Sequence, residues 1–506
     1  MNTTIENADK PDLPPGEIMG HPKALWQLFN IELWERFAYY GMRALLAVYI
    51  AQAFFSTVGQ AEANAKASLI YGGYTALVYG TGIAGGYIAD RILGYQRSIL
   101  LGAIIMAAGL FILLIEDLNW FLVGLAVIVA GNGLFKPNIS TMIGQLYAPN
   151  DVRRDSGFTI FYMGINLGAF VAPMITATWI GATYGMKWGF FAAGIGMILS
   201  TLFLEFAKKS LGKVGLPEEG KEGWGRFFLV GLGALALSVV VYFLLTASTV
   251  LGYLLVGIMA GLCVYFIISG TRKGKVQLHR YIAMLILFVA NACFWALFEQ
   301  AGSSLNFFAR EFSTPMIGSA DSWAAGGFGI FQSLNPLYIL LFAPMFAALW
   351  PKLDKMGVNP SIPRKFALGL IQVALGFYLL VFAIDNMQNA LGLVPWIFLA
   401  MCYLLHTTGE LCLSPIGLSM VTKLADKHEV GLAMGGWFLS IAMAQYVAGI
   451  IAAIASGGGS GHGAEAVSNI GQYSDTYMQL FWLGLSFGVV YLIAAPLINK
   501  LMHGVK

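Results

Sequence analysis

The sequence contains few charged residues for its length. Of 506 residues, 11% are charged and 58% are hydrophobic, and the mean hydropathy is +0.72. Soluble globular domains carry about 25% charged residues, so this scarcity excludes an ordinary soluble protein. Glycine, by contrast, occurs 61 times, and small residues let helix backbones approach closely inside lipid. The composition indicates a polytopic membrane protein.

Motifs for several kinds of chemistry are also missing. The four cysteines lie in apolar segments without paired spacing, which argues against disulfides and against a metal site. The sequence has no GxxxxGKS/T motif, so we do not expect ATP hydrolysis within this chain to drive it. It also shows no nucleophile motif. We therefore expect no enzyme activity, no cofactor and no nucleic-acid partner, with an ion gradient as the energy source.

Apolar stretches dominate the chain, and about fourteen of them are long enough to cross a bilayer. Lys and Arg concentrate in alternate connecting segments, which predicts that both termini lie in the cytoplasm. An apolar pair at 225–270 predicts a helical hairpin inserted between two six-helix halves. The predicted division is a cytoplasmic tail, an N-terminal six-helix bundle, a linker with the hairpin, and a C-terminal six-helix bundle, at residues 1–26, 27–207, 208–278 and 279–506. Residues 1–20 of the tail are polar and contain proline, and we predict them to be disordered.

An acid–base turn joins the second and third apolar stretches. It runs from Gly86 to Arg97 and contains Asp90 and Arg91. The turn resembles the signature loop of the major facilitator superfamily. That resemblance implies an all-α polytopic membrane protein with the major facilitator fold and 14 transmembrane helices. Transporters built from repeated halves bind their substrates between the halves, near the middle of the membrane.

Ionisable residues deep within apolar stretches are the strongest functional signal. Each costs about 2.5–3.5 kcal/mol at the centre of a membrane helix, so it must pair or face water. At 3.6 residues per turn, Glu32, Glu35 and Arg36 share one face of the first stretch with Tyr39 and Arg43. The buried ionisable residues are Glu32, Glu35, Arg36, Arg43, Lys136, Glu299 and Glu410.

These charges suit a substrate that carries both an ammonium and a carboxylate group. Arg43 and Lys136 are suited to hold the carboxylate, and Glu299 or Glu410 the ammonium. Neutral side chains elsewhere in the apolar stretches are candidates for hydrogen bonds and for the walls of side-chain pockets: Tyr40, Tyr79, Tyr162, Asn166, Asn335, Ser414, Trp295 and Trp437.

Plainer structural interpretations stand beside these functional ones. Glu32, Glu35 and Arg36 are also compatible with a purely structural ion pair within one helix. Lys136 precedes Pro137, so its ammonium is also able to reach the membrane surface. Glu410 is also compatible with a charge at a helix end. Each tyrosine or tryptophan alone fits packing as well as binding, and we interpret His406 as a packed histidine rather than a proton carrier.

Three longer motifs resemble those of the proton-dependent oligopeptide transporters. They are ExxERFxYYG at Glu32–Gly41, FYxxINxGA at Phe161–Ala169 and GELxxSPxG at Gly409–Gly417. Their order and spacing extend the resemblance over nearly the whole chain. The inserted pair at 225–270 is similar to the extra helix pair of bacterial members.

The resemblance implies a role for each candidate residue. Glu32, Glu35 and Arg36 would couple the proton, and Arg43 and Glu299 would form a breakable gating pair. Lys136 would pair with Glu410 or take the peptide carboxylate, and Glu410 would take the peptide ammonium group. The neutral candidates would line the pocket. Some nitrate-carrying plant relatives lack the first-helix glutamates, and both are present here, which favours peptide.

The sequence therefore predicts a symporter of the bacterial inner membrane that imports di- and tripeptides with protons by alternating access. Its expected partners are these peptides, protons and membrane lipid. One alternative is a symporter of another small zwitterion or anion, such as an amino acid or nitrate. A second alternative is a peptide sensor that does not transport, and an intramembrane enzyme is a weaker third.

Overall fold

The computed structural model describes residues 13–148, 151–217, 220, 223–457 and 469–505, and almost all of them are helical. A short hairpin of β1 (Glu17–Ile18) and β2 (His21–Pro22) comes first. The α-helices that follow in the described residues are α1 (Lys23–Phe54), α2 (Gln60–Gly80), α3 (Gly82–Ile88), α4 (Tyr95–Ile112), α5 (Leu118–Gln145), α6 (Arg154–Pro173), α7 (Ala182–Tyr184), α8 (Met186–Leu211), α9 (Trp224–Thr246), α10 (Ser248–Lys273), α11 (Lys275–Phe298), α12 (Ser304–Phe312), α13 (Ala320–Ala325), α14 (Leu334–Lys355), α15 (Ile362–Asn386), α16 (Trp396–Leu424), α17 (Val430–Ala455) and α18 (Ile470–Leu501).

Several long helices change their winding. Two π-helical stretches, Ala89–Leu93 and Met174–Gly181, continue α3 and α6. Two 3₁₀ stretches, Glu299–Gly302 and Gly327–Ser333, precede α12 and α14. Such irregular turns often mark functional positions in membrane helices. One of them begins at Glu299, a predicted site residue.

Within the described residues, twelve helical segments are long and apolar enough to cross a membrane. Neither α1 nor α2 is among them, although they contain 32 and 21 residues. The reason for α1 is its chemistry, because the predicted polar face places four charged residues in this helix and Lys23 at its start adds a fifth. The all-helical membrane class is confirmed, whereas the count of fourteen spans stays a prediction.

The chain forms two compact units. The first consists of residues 1–45 and 81–245, and the second of residues 46–80 and 246–506. The predicted division at residues 27–207, 208–278 and 279–506 stays a prediction. The predicted span 66–90 is interrupted at Thr81, where α2 ends and α3 begins. The glycines at 80, 82, 85 and 86 make this a stretch of low helix propensity.

In the first unit, α5 lies between α3 and α4. A Cβ atom at Gly85 would lie 1.7 Å from the carbonyl oxygen of Gly133, so only glycine allows this crossing of α3 and α5. Asn138 stabilises the crossing by donating from Nδ2 to the carbonyl oxygen of Gly85 at 3.1 Å. The crossing lies next to Lys136 and therefore fixes the part of α5 that carries a predicted site residue.

The N-terminal segment differs from its prediction. Residues 1–12 of the predicted disordered segment lie outside the described residues, but the disorder predicted for residues 13–20 is wrong. Arg153 donates to Glu17 Oε1 at 2.8 Å and to the carbonyl oxygen of Gly20 at 3.0 Å. His21 is buried and shares a hydrogen bond of 2.8 Å with the Tyr147 hydroxyl. These contacts hold the hairpin on the first unit, and α1 begins at Lys23 inside the predicted tail.

In the second unit, α15 packs against α16 and α18, and α2 packs against α17. The Glu429 carboxylate, just before α17, joins further elements. It accepts from Tyr265 at 2.9 Å and Ser269 at 2.7 Å, both on α10, and lies 3.1 Å from Lys273 Nζ. It also accepts from Tyr281 on α11. One carboxylate thus connects the second helix of the predicted hairpin to its neighbours.

Candidate functional site

In the first unit, α1 carries a cluster of one guanidinium and two carboxylates. Glu32, Glu35 and Arg36 are at most 3% exposed. Arg36 Nη2 donates to Glu35 Oε1 at 2.7 Å, and Arg36 Nε also donates to Glu35 Oε2. Arg36 Nε lies 3.1 Å from Glu32 Oε1. Oε2 of Glu32 is buried and has no hydrogen-bond partner among the described residues. The cluster therefore keeps one carboxylate oxygen open to a proton.

Neighbouring helices hold this turn of α1 in place. Gly168, on α6, lies so close that a Cβ atom there would be 2.3 Å from the carbonyl oxygen of Leu33. Ser200, on α8, donates to the carbonyl oxygen of Ile31 at 2.7 Å. Both contacts flank the charged turn, so the glycine of the FYxxINxGA motif acts through packing. Buried charge clusters need such support, because they cost free energy unless their geometry is fixed.

Lys136 joins the same cluster from α5. Its positive charge acts electrostatically on Glu32, which brings together two residues that lie about a hundred positions apart in the chain. With Lys136 included, the group contains two acids and two bases. Pro137 follows Lys136 inside α5 and removes one backbone donor there. Among the predicted site residues, the structure thus assembles Glu32, Glu35, Arg36 and Lys136 within one unit.

Two further predicted residues, Tyr40 and Arg43, lie later in α1. Arg43 is 8% exposed, and its guanidinium carbon lies 5.9 Å from the centre of the Tyr40 ring. Arg36 makes a similar contact of 5.3 Å with Tyr39. Arg43 and Glu299 belong to different units, so their gating pair stays a prediction.

Tyr162 and Asn166 lie on α6 as predicted, one turn apart. Asn166 is 4% exposed and donates from Nδ2 to the carbonyl oxygen of Tyr162 at 2.9 Å. The Tyr162 side chain is 43% exposed. Asn166 therefore has its amide nitrogen engaged within its own helix, while the tyrosine is accessible.

In the second unit, the structure brings Asn335 and Glu410 together from α14 and α16. Asn335 Nδ2 donates to Glu410 Oε2 at 2.9 Å and to Thr407 Oγ1 at 3.0 Å. Thr407 is buried and in turn donates to the carbonyl oxygen of Tyr403 at 2.7 Å. The amide thus orients one oxygen of the Glu410 carboxylate. This pairing links two of the predicted substrate-binding residues.

The remaining candidates of the second unit lie near helix ends or are partly buried. Glu299 is 2% exposed and occupies the point where α11 gives way to a 3₁₀ turn. Trp295 lies one turn earlier, and its indole nitrogen is buried without a hydrogen-bond partner among the described residues. Tyr79, at the end of α2, and Ser414 are half-buried. An indole N–H without a partner leaves one donor available to a ligand.

Two aromatic candidates are packed within the second unit. Trp437 is 2% exposed and lies against Gly417, with ring centres of Phe288 and Phe366 at 5.9 and 6.3 Å. These contacts are those of a core residue. The predicted place of Trp437 in a substrate pocket stays a prediction. His406 is also buried, and Nε2 lies 3.1 Å from the carbonyl oxygen of Val373. The structure agrees with the interpretation of His406 as a packed histidine.

Sequence reasoning missed two polar residues next to the site. Thr407 lies three residues before Glu410, a spacing that places both on one helix face, and this signal was available. Gln332 was harder to find, because it donates to the carbonyl oxygen of Ala301 from another element. Among the described residues, no group of three or more His, Cys, Asp or Glu side chains is arranged to hold a metal ion.

Known proteins resemble this chain over nearly its whole length. A peptide transporter of Yersinia enterocolitica, YePEPT, is 37% identical over 460 residues, covering 85% of this chain and 88% of the relative. The dipeptide and tripeptide permease A of Edwardsiella piscicida is 31% identical over 507 residues, covering 98% of this chain and 99% of the relative. The sequence profile of the POT family matches residues 96–465.

Solved structures agree with these relatives. A peptide transporter POT in complex with alafosfalin is 36% identical, has a TM-score of 0.80, and covers 97% of this chain and 98% of its own. A POT family transporter in complex with 5-aminolevulinic acid is 31% identical with a TM-score of 0.79, covering 96% and 99%. The fold and the buried charges are those of a membrane transporter with the major facilitator fold. Within that class, the chain belongs to the POT family.

Proposed function

We propose that this protein is a proton-coupled symporter that imports di- and tripeptides by alternating access. Its relatives include proteins named as peptide transporters and as dipeptide and tripeptide permeases. The charge distribution along the chain favours a multi-pass protein of a bacterial inner membrane with both termini in the cytoplasm. The proton gradient supplies the energy in this proposal.

The observation that carries the proposal is the buried cluster on α1. Arg36 lies between two carboxylates, and one oxygen of Glu32 has no hydrogen-bond partner among the described residues. A proton on that oxygen removes one negative charge and weakens the hold of the carboxylates on Arg36 and Lys136. Protonation and rearrangement of basic side chains are therefore linked in one group of residues.

The peptide is held by its two charged ends. Lys136 is the proposed partner of the peptide carboxylate and Glu410 that of the peptide ammonium group. Asn335 orients the Glu410 carboxylate at 2.9 Å, and charge-assisted hydrogen bonds of this kind are stronger than neutral ones. In this proposal the neutral candidates line the pocket, namely Tyr40, Tyr79, Tyr162, Asn166, Trp295, Ser414 and Trp437.

The cycle proceeds by making and breaking ion pairs. Protonation of the Glu32 and Glu35 pair loosens Arg36, and the peptide then binds by its termini. Arg43 and Glu299 close the outer side as a gating pair in this scheme. The site opens inward, and loss of the peptide and the proton resets the cluster.

The proposal is tested by uptake of labelled dialanine into proteoliposomes with and without an inward proton gradient. Glu32→Gln and Glu35→Gln keep the shape of the side chain but remove its charge. We expect both variants to lose gradient-driven accumulation while exchange of dialanine without a gradient continues. Glu205→Gln is the matched control, because Glu205 is exposed and pairs with Lys208 one turn away on α8.

Full gradient-driven uptake by both variants would contradict coupling at the α1 cluster. Absence of dialanine flux in every mode, with folded protein, would contradict peptide transport and favour either another solute or a sensor. The control is expected to behave like the parent protein in both modes.

A second candidate substrate class is a small zwitterion other than a peptide. One solved relative is described in complex with 5-aminolevulinic acid, which like a peptide carries an amino group and a carboxylate. Competition against labelled dialanine by unlabelled 5-aminolevulinic acid, alanine and nitrate separates the classes. Stronger competition by a non-peptide than by dialanine would favour the second candidate.

A further inference from the structure

A groove on the first unit runs between α3, α5 and α9. Its volume is about 340 Å³, within the range of about 300–1,000 Å³ that is common for ligand sites. Its described lining is apolar apart from the Thr81 hydroxyl, which donates to the carbonyl oxygen of Val129 at 3.3 Å. The groove therefore offers apolar surface to an occupant and no unused side-chain hydroxyl.

A positively charged side chain, that of Arg97, lies at one end of the groove. Ile92 and Leu229 line the groove. In the chain, Ile92 lies five residues before Arg97 and Leu229 lies five residues after Trp224, and the Arg97 and Trp224 side chains stack on each other. The guanidinium carbon of Arg97 is 5.0 Å from the centre of the Trp224 ring. Nη1 of Arg97 is buried and has no hydrogen-bond partner among the described residues.

A buried guanidinium nitrogen without an acceptor is costly, because a charged donor loses water and gains nothing in return. The nearby carboxylate of Asp90 accepts from the Tyr95 hydroxyl, which gives that acid a partner of its own. Arg226 is exposed two residues beyond Trp224 and adds a second positive charge. Among the described residues, Nη1 of Arg97 thus keeps a charged donor that suits an anion.

We propose that this groove is a binding site for one anionic phospholipid. The phosphate group would pair with Arg97 beside the Trp224 ring, and one acyl chain would occupy the groove between α3, α5 and α9. Basic pockets beside transmembrane helices are suited to anionic headgroups, and tryptophan is favoured at the level of the headgroups. The charge and the apolar groove together select a molecule that carries both features, which inorganic phosphate does not.

Glycine at position 233 allows a sharp test of the groove. Gly233 lines it, and a Cβ atom there would meet nothing within 4 Å. Gly233→Leu therefore adds apolar volume to the groove without a clash at its Cβ atom and leaves every charge in place. Gly261→Leu is the matched control, because Gly261 on α10 also has nothing within 4 Å and does not line the groove.

The charge is tested by Arg97→Gln, with Arg272→Gln as the control for loss of an exposed cation elsewhere. Binding of fluorescent phosphatidylglycerol and phosphatidylcholine to the purified protein in detergent is titrated for all variants. We expect the parent to prefer phosphatidylglycerol and Arg97→Gln to bind it about fivefold more weakly, as for one basic residue near a membrane surface. Gly233→Leu should lose binding of both lipids, and inorganic phosphate alone should not compete.

Equal binding of the two lipids by the parent would overturn the proposal, as would unchanged phosphatidylglycerol binding in Arg97→Gln. Unchanged binding in Gly233→Leu would show that the acyl chain lies elsewhere and would also overturn it. Should Gly233→Leu fail to fold, Arg97→Gln still decides, since its position at the beginning of α4 leaves the apolar packing intact. None of these outcomes depends on peptide transport.

Discussion

At the scale of single residues, the buried charges are arranged so that each has a specific partner or an open position. Arg36 satisfies both oxygens of Glu35 and one oxygen of Glu32. Adjacent residues on a helix do not normally face each other, and the contact with Glu35 exists because the arginine side chain is long enough to fold back. Lysine in place of arginine would lack the planar fork of two donor nitrogens that this geometry uses.

Asn335 provides a test of substrate binding in the second unit. Asn335→Ala removes the hydrogen bond of 2.9 Å to Glu410, and hydrogen bonds to charged groups contribute about 1.5–3 kcal/mol. If Glu410 holds the peptide ammonium group, the KM for dialanine should rise roughly tenfold. The measurement is the concentration dependence of uptake in proteoliposomes.

The control for Asn335 is Asn386→Ala, because the Asn386 amide donates to the carbonyl oxygen of Phe382 in its own helix. An unchanged KM in Asn335→Ala would show that orientation of Glu410 does not limit binding. A lower maximal rate with the same KM would point to a role in a later step.

At the scale of helices, close backbone contacts and a few side-chain hydrogen bonds determine how the elements pack. The crossing of α3 and α5 depends on Gly85, whose neighbour Gly86 faces open space. The hairpin ahead of α1 is held by Arg153, together with the hydrogen bond between His21 and Tyr147. Each feature gives a prediction in which an adjacent residue is the control.

Gly85→Ala should destabilise the protein, because the new Cβ atom would lie 1.7 Å from the carbonyl oxygen of Gly133. Overpacking of this kind costs about 1–3 kcal/mol, and a displaced helix costs more. Gly86→Ala meets nothing within 4 Å and should be neutral or stabilising by up to about 1 kcal/mol through helix propensity. Apparent midpoints of thermal unfolding in one detergent compare the two, and equal midpoints would refute the close contact.

Arg153→Ala should release the N-terminal hairpin without unfolding the first unit. Hydrogen bonds from the Arg153 side chain and then from its backbone hold the pKa of Asp151 below its usual range, so this group is ionised at neutral pH and helps to fix the arginine. Because Arg153 is partly exposed, we expect little change in global stability. The expected result is faster tryptic cleavage after Lys23 than in the parent or in Arg154→Ala. Equal rates of cleavage would show that Arg153 does not hold the hairpin in place.

The element scale also shows what could be predicted from the sequence. The polar face of α1 followed from helical spacing alone, since Glu32 and Arg36 lie one turn apart. The contact of Asn335 with Glu410 joins positions 75 residues apart, so no spacing rule reaches it, although each residue was predicted separately as a site candidate. The hairpin before α1 was missed because a polar, proline-bearing segment lacks periodicity, and its stability comes from Arg153 and Tyr147, which are distant in sequence.

At the scale of the whole molecule, the two compact units do not follow the order of the chain. The helix α2 belongs with residues 246–506 rather than with the helices that flank it in sequence. Stability of the second unit should depend on contacts that connect elements distant along the chain. The Glu429 carboxylate, with donors on α10 and α11, is the clearest of these contacts.

Glu429 gives the second unit a predictable response to acid. Partial burial opposes ionisation of Glu429, but hydrogen bonds from Tyr281, Ser269, Lys273 and Tyr265 outweigh it and lower its pKa to about 2. A lowered pKa stabilises the folded protein fully above the usual value near 4.5, and this contribution is lost as the pH falls from there through about 2. Glu429→Gln should therefore unfold at a lower temperature than the parent at pH 7.

The difference between parent and Glu429→Gln should narrow as the pH falls below about 4.5. Thermal unfolding of both proteins across this range measures it. Glu205→Gln serves as the control, because its exposed pair with Lys208 should contribute little at any pH. If the difference in unfolding temperature between parent and variant stays constant with pH, Glu429 stabilises the second unit through its shape rather than its charge.

The balance of signs within the α1 cluster and Lys136 has an electrical consequence. Glu32, Glu35, Arg36 and Lys136 sum to zero when all are ionised, so adding one proton leaves a single positive charge. A zwitterionic peptide does not alter that sum. In the proposed cycle the loaded carrier is therefore driven inward by the membrane voltage, at about 2.3 kcal/mol per 100 mV, while the empty carrier returns unopposed. Peptide entry would register as an inward current, and the voltage would set the speed of one half of the cycle only.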